Sequence, residues 1–308
     1  MPVMIDAHHH LWDLAAREHR WLMGAQPWAT DEELARLRRS YTLADLAPLA
    51  AAAGVTGTVV IQTAGEPWET PDLLALAAGR DPYTAGDHLA RGPGPPRDGL
   101  LAGVVGWTDL TSPAVADAVA ALRALPGGEF LCGIRHPVLT EADPGWLARP
   151  PVLRGLRALA AAGLSFDIVT LPHQLPAAVT AAWSVPELSF VLDHLGGPPV
   201  ESGRDGADGT WAAAIRDLAA LPNVTCKLSG AHTDPARAGD LRPYYEVVLA
   251  AFGPDRLMFG SDWPVSALTA TYGTVCGMYR ELTARLTMAE QEAIFDRTAR
   301  RVYRLPAP

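Results

Sequence analysis

Near the start of this 308-residue chain stands Asp6-Ala7-His8-His9-His10-Leu11-Trp12, directly after the apolar segment Val3 to Ile5. On an extended strand, side chains two apart share a face, so His8 and His10 present two imidazoles to one spot while His9 faces away. That geometry suits a metal or a substrate. Two blander readings are a purification tag and three hydrogen-bonded core histidines; a tag would be longer and would not sit between Ile5-Asp6-Ala7 and Leu11-Trp12-Asp13. A second segment, Arg256-Leu-Met-Phe-Gly-Ser-Asp-Trp-Pro264, is a short apolar strand whose last residues carry a carboxylate, Asp262. His8, His10 and Asp262 together would give one divalent ion two nitrogens and one oxygen, leaving positions for water, and zinc is the default ion. The alternative stays open: two histidines hydrogen-bonded to neighbouring carboxylates, with no metal.

The elements that must position these groups are legible as an alternation. Short runs rich in Val, Ile, Leu and Phe recur between Ala/Leu-rich amphipathic stretches, the pattern of parallel strands and covering helices. Strands are expected at 3–8, 55–62, 101–107, 131–136, 164–169, 188–193, 224–229 and 257–261. Between them lie helical patterns such as Leu43 to Ala53, Pro113 to Leu125, Val152 to Ala162, Leu175 to Trp183, Trp211 to Leu221, Tyr244 to Phe252 and Thr271 to Leu286, several ending in a stop glycine such as Gly54 or Gly163. Eight strand-helix units predict a single (β/α)8 barrel with its active site on the loops after the strands. First and last strands touch in such a barrel, bringing Asp262 to His8.

Each strand end then offers a polar group. Strand 1 gives Asp6, His8 and His10; strand 4 gives Arg135 and His136; strand 5 gives Asp167; strand 6 gives Asp193 and His194; strand 7 gives Lys227 and Ser229; strand 8 gives Ser261 and Asp262. Barrel interiors are otherwise filled with branched apolar residues, so so many charged groups at one rim point to chemistry rather than packing. Of the pair Asp193-His194, one points into the barrel, and His194 is the expected functional member. Arg135 has a fork suited to a substrate oxygen or carboxylate, its bland alternative being an internal ion pair. Lys227 is the one lysine among 25 basic residues. His173, further along after strand 5, reads as a solvent-facing helix start. The loop over 11–40 carries Trp12, Trp21 and Trp28 and is expected to roof the site. Residues 196–210, rich in Gly and Pro, are expected to form a lid, and the Gly/Pro-rich stretch 79–99 a non-catalytic insertion on the opposite face.

Composition narrows the partners. Hydrophobic residues make up 49% and charged ones 19%, enough for a sizeable core. A formal charge of −9 argues against nucleic acid or an anionic membrane and favours a small substrate. The opening residues lack the basic and apolar regions of a signal peptide, which predicts a cytoplasmic protein. Whether it forms a homo-oligomer is left open. Cys132, Cys226 and Cys276 lack metal-type spacing and read as buried or incidental.

At this point the chain resembles the amidohydrolase superfamily, in its branch of sugar-lactone hydrolases of the L-fuconolactonase and L-rhamnonolactonase type. The resemblance spans the chain and rests on Ile5-Asp-Ala-His-His-His-Leu-Trp-Asp13, Ala102-Gly-Val-Val-Gly-Trp-Thr-Asp-Leu110, Gly133-Ile-Arg-His136, Phe166-Asp-Ile with Pro172-His-Gln-Leu175, Val191-Leu-Asp-His-Leu-Gly-Gly-Pro198, Cys226-Lys-Leu-Ser-Gly230 and Phe259-Gly-Ser-Asp-Trp-Pro264. It implies that the strand-1 His-x-His falls on His8 and His10, the strand-6 histidine on His194 and the strand-8 aspartate on Asp262. Where binuclear members carry a bridging lysine or glutamate on strand 4, this chain has Arg135-His136, which implies at most one divalent ion, zinc, or none. The strand-5 histidine of many members is replaced by Asp167.

The resulting expectation is hydrolysis of a lactone by an activated water. Asp262 is the candidate base, with His194 beside it; Arg135, Lys227, Asp167, Trp12 and His136 are the candidate substrate contacts. No Gly-x-Ser-x-Gly elbow is present to support a serine acyl-enzyme. Two rivals remain: a non-oxidative decarboxylase or hydratase of the same superfamily, and a catalytically silent metabolite-binding barrel.

Overall fold

Strand-forming runs of three to six residues cannot bury both faces alone, and here each is followed by a helix that covers its outer side. In the computed structural model, which describes residues 3–80, 82, 99–200, 203–230 and 241–306, the strands are β1 (Ile5–His9), β2 (Gly57–Ile61), β3 (Leu101–Gly106), β4 (Leu131–His136), β5 (Ser165–Ile168), β6 (Ser189–Leu192), β7 (Val224–Leu228) and β8 (Leu257–Phe259). They form one eight-stranded sheet in sequential order, parallel throughout. The sheet closes through the site residues themselves. The amide of His10 donates to the Trp263 carbonyl at 2.7 Å, and the amide of Asp262 donates to the His8 carbonyl at 2.8 Å. The expected (β/α)8 barrel is therefore observed.

Leu43–Ala53 forms a helix with the bounds its periodicity predicts, and the left-handed Gly54 (φ 75°) ends it. The helices Val115–Ala124, Pro150–Ala161, Leu175–Ser184, Thr210–Ala219, Arg242–Phe252 and Tyr272–Thr283 follow the other expected patterns within a few residues. The helix after β2, Glu69–Ala77, has no counterpart in those patterns; Thr70 and Pro71 weaken its periodic signal, yet it buries Leu73 and Leu74. Beyond the eight units, the chain continues through Met288–Glu292, a π-turn at Ala293–Arg297 and Thr298–Tyr303.

Two cores result. Helix faces and outward strand residues make the larger one. Inside the barrel Ile5, Ala7, Val59, Ile61, Val105, Val191 and Met258 pack with Ala299, Tyr303 and Leu305 of the C-terminal segment. The expected insertion at 79–99 falls outside the described residues at 81 and 83–98, as do residues 201–202 of the expected lid. Among the described residues, no helix is long and apolar enough to cross a membrane.

Candidate active site

The first and last strands build the centre of the site. His8 Nε2 lies 3.2 Å from His10 Nε2. Asp262 Oδ1 lies 3.6 Å from His8 Nε2 and 3.4 Å from His10 Nε2. Close backbone approach makes this triangle possible: a Cβ on Gly260 would stand 2.5 Å from that of His8. His10 is oriented from behind, its Nδ1 being 2.8 Å from the Ile61 carbonyl. His9 points away from His8 and His10, to Thr58 Oγ1 at 3.0 Å; the pairing of β1 is irregular between Asp6 and His9, so Ala7 and His8 both face the barrel interior.

His194 comes from the turn after β6. It and Leu195 hold left-handed backbone angles, φ 55° and 54°, and so does Asp262 at 57°. Non-glycine residues rarely adopt these angles, and such strain gathers where function fixes a side chain. Gly230 provides the space: a Cβ there would lie 2.2 Å from the His194 ring. His194 Nδ1 meets Ser229 Oγ at 2.9 Å, and the ring centroid lies 4.5 Å from that of His8.

Behind His8 runs a fully buried ionic column. Lys227 Nζ is 2.6 Å from Asp167 Oδ2, 3.0 Å from Asp193 Oδ1 and 3.2 Å from His8 Nδ1. The Tyr303 hydroxyl donates to Asp167 Oδ2 at 2.6 Å. Arg135 Nη1 bridges His8 Nε2 at 3.4 Å and Asp193 Oδ2 at 3.3 Å, while Nη2 donates to the Gln62 carbonyl.

Burial sets the protonation of the imidazoles. It pushes His8 well below the ordinary imidazole value, with Lys227 adding to the effect and Asp193 opposing it. Burial also lowers His10, against the pull of Asp262. Burial thus favours the neutral form of both rings. Burial raises the Asp262 carboxyl, but the surrounding His194, His10 and His8 outweigh it and hold the group below the usual carboxylate range. In the column, burial raises Asp167 against Lys227, whereas Asp193, where burial acts the same way, is held well below its ordinary value by Lys227 and His8.

A cavity of about 510 Å³ opens onto this centre, lined among others by His10, Arg135, His194 and Asp262 from the barrel and by Trp21, Trp28 and Thr170 from the loops. The expected site residues divide accordingly. Lys227 and Asp167 do not line the cavity and are 0% exposed, satisfied by each other and by their neighbours. Trp12 is buried beneath the roof, donating to the Arg39 carbonyl at 2.7 Å and packing edge-on against Trp21. His136 faces away from the cavity, stacked on Trp146 at 4.2 Å and 2.7 Å from Glu141. His173 is exposed. Of Asp193 and His194 only one is expected from the sequence to point into the barrel, yet Asp193 meets Lys227 and Arg135 while His194 lines the cavity; Gln62 and Thr170 are not anticipated, and only the packed barrel brings them to the site.

The donor set fits a single divalent ion. Ligand atoms about 2.0–2.1 Å from a tetrahedral zinc lie roughly 3.3–3.4 Å apart. The three separations among His8, His10 and Asp262 run from 3.2 to 3.6 Å. Atoms of His8, His194 and Asp262 also lie within 4.8 Å of one another, a second grouping of the same region.

The family model for amidohydrolases matches residues 5–305. The chain belongs to the amidohydrolase family. It is 36% identical over 276 residues to an L-fucono-1,5-lactonase of Burkholderia ambifaria, covering 89% of this chain and 84% of that one. A second L-fucono-1,5-lactonase, from Burkholderia multivorans, is 36% identical over 322 residues and covers 99% and 97%. The crystal structure of an amidohydrolase from Burkholderia multivorans with bound zinc superposes with a TM-score of 0.83 at 34% identity, covering 99% of this amidohydrolase and 100% of that chain.

Proposed function

We propose that this protein opens a sugar-derived lactone by direct attack of water, with Asp262 as the base. The observation that carries the reading is Asp262 itself: a buried carboxylate on the cavity wall, 3.4 Å from the His10 imidazole and 3.6 Å from that of His8, which with His194 hold it below the usual carboxylate range. The 36% identity to two L-fucono-1,5-lactonases supports a sugar lactone as substrate, L-fucono-1,5-lactone first.

A lactone is an activated ester, so its hydrolysis needs a base for water and positive charge at the developing oxyanion. Asp262 Oδ1 faces the two histidines, which assigns Oδ2 to the water. Oδ2 takes a proton as the water oxygen bonds to the carbonyl carbon, then returns it to the ring oxygen as the ring C–O bond breaks. Ser229 Oγ lies 2.9 Å from His194 Nδ1; in the tautomer where the serine O–H donates to Nδ1, the Nε2–H of His194 would donate to the oxyanion. A zinc ion held by His8, His10 and Asp262 supplies Lewis-acid polarisation of the carbonyl when bound. For such a ligand set, Arg135 Nη1 gives up its contact with His8 Nε2 and keeps Asp193. The same guanidinium places positive charge beside His8, which supports one ion at most.

Lys227 and Asp167 act here as positioning residues that fix His8 from behind, rather than as substrate contacts. Trp12 and His136 support the loops around the cavity.

The experiment is steady-state hydrolysis of L-fucono-1,5-lactone and a panel of sugar lactones, beside aromatic carboxylates. Release of the hydroxy acid is expected; turnover confined to the carboxylates would replace this reading with a decarboxylase.

A further inference from the structure

The turn after β6 runs against the natural handedness of the chain. Four residues in succession hold left-handed backbone angles: His194 at φ 55°, Leu195 at 54°, Gly196 at 72° and Gly197 at 65°. They make one tight left-handed turn, in which the Gly197 amide donates to the His194 carbonyl at 2.9 Å. L-residues favour the opposite hand, and left-handed residues normally occur singly. Glycine adopts such angles freely. His194 and Leu195 do not, so contacts from outside the turn must hold them there.

Two donors reach this segment from the helices behind it. The indole Nε1–H of Trp211, on helix Thr210–Ala219, donates to the Leu195 carbonyl at 3.0 Å. The hydroxyl of Tyr244, on helix Arg242–Phe252, donates to the Pro199 carbonyl at 2.6 Å. The two rings pack edge-on, their centroids 5.2 Å apart. Both side chains are buried and neither lines the cavity, whereas His194, Gly197, Pro198, Pro199 and Val200 do.

We propose that Trp211 is a positioning residue for His194: its indole holds the left-handed turn and so aims the imidazole at the cavity, while Tyr244 fastens the far end of the segment. This rests on the part His194 plays in the lactonase reading above. Leu195 is 2% exposed, and a buried carbonyl that loses its indole donor no longer helps to offset the left-handed angles. The turn then relaxes toward the ordinary hand. Its neighbour His194 swings off Ser229 Oγ, which Nδ1 meets at 2.9 Å. Relaxation also relieves strain, so the imidazole loses its aim while the fold loses little, and kcat falls further than stability does.

The test is Trp211→Phe, which keeps a ring in the helix packing and loses the N–H, read in two ways. Proton–nitrogen correlation spectra of histidine-labelled protein report each imidazole, and the His194 signals are those missing from His194→Gln. The His194 Nδ1 signal is expected to move in Trp211→Phe, while those of His10, anchored on the Ile61 carbonyl, stay in place. On L-fucono-1,5-lactone, kcat per folded molecule is expected to fall about 10-fold or more with KM held. Tyr244→Phe, a milder change, is expected to act in the same direction and serves if Trp211→Phe does not fold. His194 signals at the parent's positions overturn the proposal. So does an unchanged kcat, or a rise in KM alone, which marks a wall that only shapes the cavity. A parent that hydrolyses no lactone overturns the lactonase reading, and the His194 signals still decide whether Trp211 holds the ring.

Discussion

The ammonium of Lys227 stands 3.2 Å from Nδ1 of His8, on the side of the ring remote from Asp262. The lysine therefore works through the histidine and through two carboxylates, all of them out of reach of solvent. Lys227→Met should remove the only ammonium between Asp167 and Asp193 and leave two buried carboxylates facing each other. A loss of about 3–5 kcal/mol in urea unfolding is expected, and kcat per folded molecule should fall as well, because His8 loses the group that fixes it from behind.

Asp262→Asn should keep the fold, because the amide has nearly the shape of the carboxylate, and lose about 10²-fold or more in kcat. Circular dichroism and steady-state kinetics on one preparation check both halves. Near-normal turnover would remove this carboxylate from water activation.

Metal binding gives a separate readout. If His8, His10 and Asp262 hold zinc, saturating the chelator-treated protein at one hundred times Kd should stabilise it by about 2.7 kcal/mol. His10→Ala should lose that rise in Tm. Elemental analysis should find no more than one ion per chain.

Gly230→Ala tests the space that His194 occupies. The new Cβ would lie 2.2 Å from the ring, at a backbone angle of φ 70°. Displacement of the imidazole should cost about 10-fold or more in kcat, beside about 1–2 kcal/mol from the left-handed alanine.

Asp6 predicts a pH effect. Burial raises its carboxyl from 3.8 to about 6, against hydrogen bonds from Ser261, His8 and Tyr272. The folded state thus holds this proton more tightly than the unfolded one. Its contribution to stability is full below pH 3.8 and is lost as pH rises through 6. The span is about 3 kcal/mol. Asp6→Asn lacks this titration, so urea midpoints measured from pH 4 to 7 should move in the variant's favour as pH rises.

Alternation along the chain specified the barrel and β4 to the residue, because a two-residue period and a glycine stop are local signals. It also paired His8 with Asp262, since the first and last strands of a ring must meet. Height within the barrel is not local. Lys227 and Asp167 read as rim residues, but their side chains stay in the interior, where Tyr303 from the far end of the sequence meets them. Trp12 read as a roof residue for the same reason as Trp21, yet it packs between Trp21 and Tyr41. Nothing in the residue types separates the two. Thr170 gives no signal at all until the wall around it is complete.

The seam between β1 and β8 ties Ser261 Oγ to the His8 carbonyl across 253 residues of sequence. Contacts this distant form late in folding. A chain emerging from the ribosome can build the early strands and their helices, but it has no competent centre until Asp262 has been released and the ring has shut. Catalysis is thus an all-or-none report on completion: truncated or half-folded products should be silent rather than weakly active, and turnover per milligram should count closed barrels.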